Sequence, residues 1–434
     1  MRLFYLGVAV PVQAARRAVA PMSLEAWISA GLLQLSDEDD AVEATVHLWP
    51  GEDYFLAADT PVLDGQKPTA DIVLPPGPIS LMLANAMMQK PGAAALDLGT
   101  GSGVLALLVS NNCNNVVAID RNPRSIEFTK FNMRMNGRDN VDAIEGNLFD
   151  PVRRQRFGLI VSNPPFVIGP DSKFIYRDSG LRGDLFCRKL VREAPSVLAE
   201  GGFFQMTCNL PHVVGRPWKE SLAEWFEGLK CDVVVWTIGV QSAADYATSW
   251  IVDTESTEPG VVQQRYDNWM TFFENERIEA VSSLLVTLRN SGADNPWLHI
   301  DEPPCIVVGP CGDEIQRCFS IYDRFRDDNN LASLLTRHPR LAPEIRINQE
   351  LVMTDNGLRI DHIQLRKSGG VQYPLNVDEN TAAMLARCDG QTSLGELIQS
   401  TATGHGVDRD RLTEQVLPIV RSLLLRSVLL IEDA

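Results

Sequence analysis

Residues 93–110 read AAALDLGTGSGVLALLVS, and this stretch decides the fold. AAALDLG (93–99) is apolar and strand-like, and GVLALLVSNN (103–112) has the composition of a short helix. The turn between them carries Gly99, Gly101 and Gly103, with Thr100 and Ser102 interleaved. Glycine takes positive φ at no steric penalty and lets the backbone pass close to a ligand. Strand, glycine turn and helix together predict the opening βα unit of a parallel sheet.

The pattern continues outward. NVVAID (115–120) predicts a strand. PRSIEFTKFNMRMNG (123–137) predicts a helix, with a proline early and Gly137 at its end. VDAIEG (141–146) and FGLIVSN (157–163) predict strands. LFCRKLVREAPSVLAEGG (185–202) predicts a helix running to its glycine pair, with a strand at FFQMTCN (203–209). PWKESLAEWFEGL (217–229) is an amphipathic helix, and CDVVVWTIG (231–239) and VSSLLVTLRN (281–290) are strands, separated by an acidic, polar insertion at 253–268. Alternating strands and helices predict an α/β domain, a parallel sheet covered on both faces. In such sheets ligands bind at the carboxyl ends of the strands.

The flanks differ. Residues 1–19 hold a short apolar run with arginines after it, which predicts a first helix rather than a signal peptide. SLEAWISAGLLQL (23–35) opens with Ser23 as a helix N-cap, and EATVHLW, PGED and YFLAAD (43–59) follow as a hairpin. Helix then hairpin predicts a small winged-helix-like module over 1–65. The α/β domain is expected over 66–300. DEPPC (301–305) reads as a linker, and 301–434 as a C-terminal helical, winged-helix-like domain built from 376–388, 392–402 and 411–431.

Composition narrows the function. A chain of 434 residues, 45% of them hydrophobic, holds two or three domains. No run of about 18 apolar residues is present, so no membrane-spanning helix is expected. The eight cysteines are scattered, and even Cys305, Cys311 and Cys318 lack zinc-ribbon spacing. No metal is expected, and a reducing cytoplasm fits. A net charge of −17 argues against duplex DNA as a partner. The local basic runs RNPR (121–124) and RRQR (153–156) read as solvated loops.

Three further features stand at successive strand ends. Asp97 directly precedes the glycine turn. Asp120 lies seventeen residues past Gly103 and can take both hydroxyls of a ribose. EGNLFD (145–150) places Asn147 and Leu148 after the next strand. The glycine spacing is GxGxG, not the GxGxxG of a dinucleotide site. Then comes SNPPFV (162–167), a strand end closed by Pro164 and Pro165 with an aromatic after them.

On these residues the chain resembles, over roughly 70–290, the Rossmann-like, seven-stranded class I S-adenosylmethionine-dependent methyltransferases. The resemblance implies S-adenosyl-L-methionine as cofactor. Gly99, Thr100, Gly101 and Gly103 would cradle its methionine part, and Asp97 would accept from its amino group. Asp120 would hold the ribose, and Asn147 and Leu148 the adenine. In the resembled subfamily, (N/D)PP(F/Y/W) ends the fourth strand and the methyl acceptor is a nitrogen conjugated to a planar group. Asn163, beside the cofactor, and the Pro164 carbonyl would accept the two N–H bonds of that nitrogen as positive charge develops. Phe166 would stack on the planar group, and Pro165 would stiffen the loop. Tyr176 and Arg177, in FIYRDSGLRGD (174–184), are candidates for the substrate entrance. Pro76, Gly77 and Ser80 lie in a segment (70–87) expected to fold over the cofactor.

The motif accommodates several acceptors. The first expectation is a glutamine or asparagine side-chain amide in a protein or peptide. The alternatives are an rRNA or tRNA base, a small natural-product metabolite, and a non-catalytic binder that kept the fold. The layout is similar to a bacterial family related to the release-factor glutamine methyltransferases and other small-domain N-methyltransferases, without their helical N-terminal domain. The C-terminal pattern is similar to winged-helix peptide-binding domains of ribosomal natural-product pathways.

Overall fold

A computed structural model describes all residues except 37–39, 61–68, 172–175, 179–182, 255–257, 355–356 and 433–434. The expected boundary at 65–66 lies outside the described residues. Two compact units form. The first comprises 1–84, 90–235 and 240–298, and the second 85–89, 236–239 and 299–434.

The main sheet has the strands β1 (Ala94–Leu98), β2 (Asn115–Asp120), β3 (Val141–Glu145), β4 (Phe157–Ser162), β5 (Leu198–Val213), β6 (Asp232–Ser242), β7 (Ile278–Arg289) and β8 (Leu298–Asp301). Their order is β8-β6-β7-β5-β4-β1-β2-β3. Strands β5, β4, β1, β2 and β3 run parallel, and β7 is antiparallel to β5. Seven strands were expected, and β8 is an eighth, added at the edge. The chain winds outward from β1 to β3, then returns to the other side of β1 for β4. This reversal opens a crevice at the carboxyl ends of β1 and β4. The central strands are mostly apolar, as a sheet covered on both faces requires: Leu96, Ile160, Val161 and Phe204 are fully buried.

Helices α1 (Val104–Val109) and α2 (Pro123–Met135) follow β1 and β2. Asn122 caps α2, accepting from Arg124 N at 3.0 Å. The helix expected to run to Gly202 is shorter: α3 (Leu185–Glu193) ends ahead of Pro195, and β5 begins at Leu198. Helices α4 (Ala243–Thr254) and α5 (Pro259–Glu276) stand between β6 and β7, so the insertion expected at 253–268 is helical at 253–254 and 259–268. Outside that insertion, Tyr246, Ala247 and Ile251 of α4 and Trp269 and Phe273 of α5 form a buried core.

The N-terminal residues begin with a two-residue strand (Val10–Pro11) rather than a helix. Helices Val12–Ala18 and Leu24–Ser29 follow, the second capped by Ser23. Strands Leu33–Leu35 and Ala41–Ala44 complete a three-stranded sheet with Val10–Pro11. The expected hairpin is Val46–Pro50 with Phe55–Asp59. It is clamped to α2 by buried Asn132, which accepts from Ala57 N at 2.7 Å and donates to Ala57 O at 2.9 Å.

In the second unit, helices Glu379–Ala386, Leu394–His405 and Arg409–Leu425 occur where the sequence places them. Ser393 and Glu396 form a capping box. The unit also holds helix Gly312–Phe325 and a sheet of Ile345–Thr354, Gly357–Lys367 and Leu375–Val377. Residues 301–305 are packed, not a free linker. Asp301 and Cys305 are buried, and Arg426 pairs with Asp301 at 2.8 Å. All eight cysteines are buried and unbridged. Among the described residues no helix is long and apolar enough to cross a membrane, and no His, Cys, Asp or Glu cluster could hold a metal ion.

Candidate functional site

A cavity of about 340 Å³ occupies the crevice. Its walls include Gly99, Thr100, Gly101, Asp120, Asn147 and Leu148 on one side, and Asn163, Pro164, Pro165, Phe166, Tyr176 and Arg177 on the other. Pro76, Gly77 and Ser80 also line it. Two expected residues do not. Asp97 stands behind the lining, and Gly103 is the left-handed N-cap of α1, where an added Cβ would lie 3.0 Å from Thr129.

The glycine turn is held by two carboxylates. Asp97 is fully buried, and its Oδ2 accepts from Thr100 Oγ1 at 2.7 Å and from Ala106 N at 2.9 Å. Its Oδ1 is buried with no hydrogen-bond partner. Burial pushes the Asp97 carboxyl up to about 7, against the opposing pull of the Thr100 and Ala106 bonds. Asp120, at the end of β2, accepts from Gly101 N and Asn122 N, each at 2.9 Å. Burial raises its pKa, opposed by those N–H groups. Gly99 and Gly101 both have positive φ, and an added Cβ at either would meet nothing within 4 Å. Their bare backbone faces the open cavity. Leu148 is also left-handed, at φ 50°, an uncommon state for a branched side chain.

These features fit a nucleoside carrying a cationic amino acid. The unpartnered Asp97 oxygen lies directly behind the glycine turn, where a cationic group would stabilise its carboxylate, and the glycines leave room for a chain against the backbone. Asp120 retains acceptor capacity at the mouth of the cavity.

On the opposite side, Ser162 Oγ donates to Leu98 O at 2.7 Å, tying β4 to β1. This places Asn163 at the cavity wall. Its amide is fixed at both ends: Nδ2 donates to Ser80 Oγ at 2.9 Å, and Oδ1 accepts from Thr207 Oγ1 at 2.7 Å. Phe166 and Trp250 meet edge to face, with centroids 6.4 Å apart. Arg177 is buried, paired with Asp178 at 2.8 Å, and donates to Thr254 Oγ1 at 2.7 Å. The rest of the 174–184 segment lies in part outside the described residues.

Sequence reasoning missed Arg121, Asn122, Ser125, Trp250 and Thr254, all in the cavity wall, and Thr207 behind it. Arg121 belongs to the RNPR run, which is therefore not only a solvated loop. Thr207 had a legible signal. Gln205, Thr207 and Asn209 recur at period two on a strand that is otherwise apolar, and all three are buried. Trp250 and Thr254 had none, because they belong to a helix inserted far along the chain.

Residues 78–230 match the family described as methyltransferase small domain, and residues 320–431 match a domain of unknown function (DUF7782). The release factor glutamine methyltransferase of Geobacter sulfurreducens is 32% identical over 156 residues, covering 33% of this chain and 55% of that protein. The ribosomal protein uL3 glutamine methyltransferase of Bradyrhizobium diazoefficiens is 32% identical over 134 residues, covering 27% and 42%. A solved methyltransferase from Pyrococcus furiosus is 19% identical and covers 49% of this chain and 82% of that one, at a TM-score of 0.29. The chain spans about half the length of the curated relatives it matches. Over residues 78–230 the chain is thus similar to the methyltransferase small domain, and in sequence to proteins named glutamine methyltransferases.

Proposed function

We propose that the protein is a cytoplasmic S-adenosyl-L-methionine-dependent N-methyltransferase whose acceptor is the side-chain amide of a glutamine or asparagine in a protein or peptide. The observation that carries this reading is the Asn163 amide, fixed between Ser80 and Thr207 in the wall of the cavity that Gly99, Gly101 and Asp120 also line.

When bound, the cofactor supplies an electrophilic methyl group. Asp97 would take its amino group, directly or through water, with Gly99, Thr100 and Gly101 beside its methionine part and Gly103 holding the turn. Asp120 would hold the ribose hydroxyls, and Asn147 and Leu148 the adenine edge.

The chain's own residues handle the acceptor. An amide nitrogen is a poor nucleophile because its lone pair is delocalised. Asn163 Oδ1 and the Pro164 carbonyl accept from its two N–H groups. They stabilise positive charge as it develops on nitrogen, in a site preorganised before binding. A free asparagine amide can turn over and present its NH₂ instead. Ser80 and Thr207 restrain it, each hydroxyl holding one end of the amide plane. Phe166 supports the planar group, and Pro165 limits the ordering required on binding. Tyr176 and the buried Arg177 line the cavity beside the acceptor position. No general base is needed, since the proton becomes acidic only after transfer.

The test uses purified protein and methyl-labelled S-adenosylmethionine in an extract depleted of endogenous methylation. Label lost to protease and kept after RNase is the expected result. Label lost only to RNase would replace the protein acceptor with a nucleic-acid base, and label in neither polymer would indicate a small metabolite.

A further inference from the structure

The acceptor loop following Asn163 is held by α4 and α5. Tyr246, in α4, accepts from Ile168 N at 3.1 Å and from Asn209 Nδ2 at 2.7 Å. Ile168 packs into the core formed by α4 and α5. Gly169 lies so close to Trp269 of α5 that an added Cβ would come within 2.8 Å of its ring. Arg265 of α5 pairs with Asp171 at 3.3 Å, and Thr254 of α4 takes Arg177.

Tyr246, Trp250 and Thr254 are spaced i, i+4, i+8, so they share one helical face. The first holds the loop and the third receives Arg177. Trp250, between them, faces the cavity opposite Phe166. Both helices lie beyond the residues matched by the methyltransferase small domain.

We propose that α4 is the acceptor-recognition element of this protein, and that Trp250 is its specificity-determining residue. This rests on the reading of the site as an N-methyltransferase. The two rings meet at 74° with centroids 6.4 Å apart, forming a corner and not a parallel slot. A base sandwiched between two rings needs parallel faces about 7 Å apart, twice the ~3.5 Å contact distance. A corner takes a smaller planar group against one ring face, with the other ring closing its side. Trp250 therefore sets the width of the acceptor position and contributes to acceptor binding more than to the chemical step.

The test compares wild type, Trp250→Ala and Trp250→Phe. Labelled-methyl transfer is measured against serial dilutions of the methyl-depleted protein fraction at saturating S-adenosylmethionine. Cofactor Kd is measured separately by calorimetry. Trp250→Ala should raise the half-saturating acceptor concentration about 10-fold or more, within the range of a lost aromatic contact. Its maximal rate and cofactor Kd should stay near wild type, and Trp250→Phe should recover most of the loss. An unchanged half-saturation in Trp250→Ala would overturn the proposal and leave the proposed function standing. Equal impairment of both variants, with weakened cofactor binding, would reduce Trp250 to a packing role and also overturn it. A wild-type protein that binds cofactor yet transfers no methyl would remove the proposed function, and this inference with it.

Discussion

Asn163 and Asp97 are both buried-edge polar groups, but they are asked for opposite things. Asn163 must present one fixed oxygen, and both of its amide ends are already bonded. Asn163→Ala should lower kcat about 10²-fold or more, the usual result of removing one preorganised acceptor or donor, with cofactor Kd unchanged by calorimetry. Thr207→Val removes only the bond that orients it. A single hydrogen bond is worth about 1 kcal/mol, so kcat should fall roughly 5- to 10-fold, and Thr207→Ser should restore it. An inactive Thr207→Ser would show that the methyl group, not the hydroxyl, matters there. Asp97 instead keeps one oxygen unbonded. Its folded pKa is raised from 3.8 to about 7, so as pH climbs through that window the buried site gives up its proton reluctantly and folding stability falls. A cationic ligand favours the carboxylate. Cofactor affinity should therefore strengthen as pH rises from about 6 through 7, and Asp97→Asn should bind weakly with a flatter profile.

At the scale of elements, the glycine turn divides into two jobs. Gly101 faces open cavity at φ +56°, while Gly103 packs on Thr129 and Met133 at φ +84°. Alanine at either position carries the left-handed penalty of roughly 1–2 kcal/mol. Gly101→Ala should in addition weaken cofactor binding at least several-fold, because its Cβ enters the cavity. Gly103→Ala should lower the melting temperature more, through the Thr129 contact, with a smaller effect on cofactor Kd in the folded fraction. Calorimetry and thermal melts on both variants check this. If both lost affinity equally, the distinction between cradle and cap would be wrong.

At the scale of the whole molecule, the second unit is discontinuous in sequence. Asn85 O accepts from Cys311 N at 2.8 Å, and Thr237 O accepts from Cys305 N at 2.9 Å. Residues 85–89 and 236–239 thus belong to a unit whose bulk begins at residue 299. Met87, Met88 and Trp236 are buried in the full chain. A chain ending at residue 298 should therefore be poorly soluble or melt well below the full-length protein. A truncated protein that melts at the full-length temperature and stays monomeric would show that those segments need no partner. The expected partition at 300–301, drawn from a Pro-rich stretch, had no means of registering such a crossing.

The sequence by itself determined most of the strands and helices of the α/β sheet and the residues that stand at its strand ends. Local physics suffices for those: strand and helix periods, glycines where φ must be positive, prolines that end β4, and polar residues at successive strand ends. The eighth strand, the helical character of 259–276, and the presence of Thr207, Trp250 and Thr254 at the site were decided by tertiary structure. Each depends on residues tens of positions apart being brought together. Thr207 reaches Asn163 across 44 positions and Thr254 reaches Arg177 across 77. A single chain's periodicity carries direction and spacing along an element, but not which elements meet, so the acceptor wall emerged only when α4 was packed against the loop that follows Asn163.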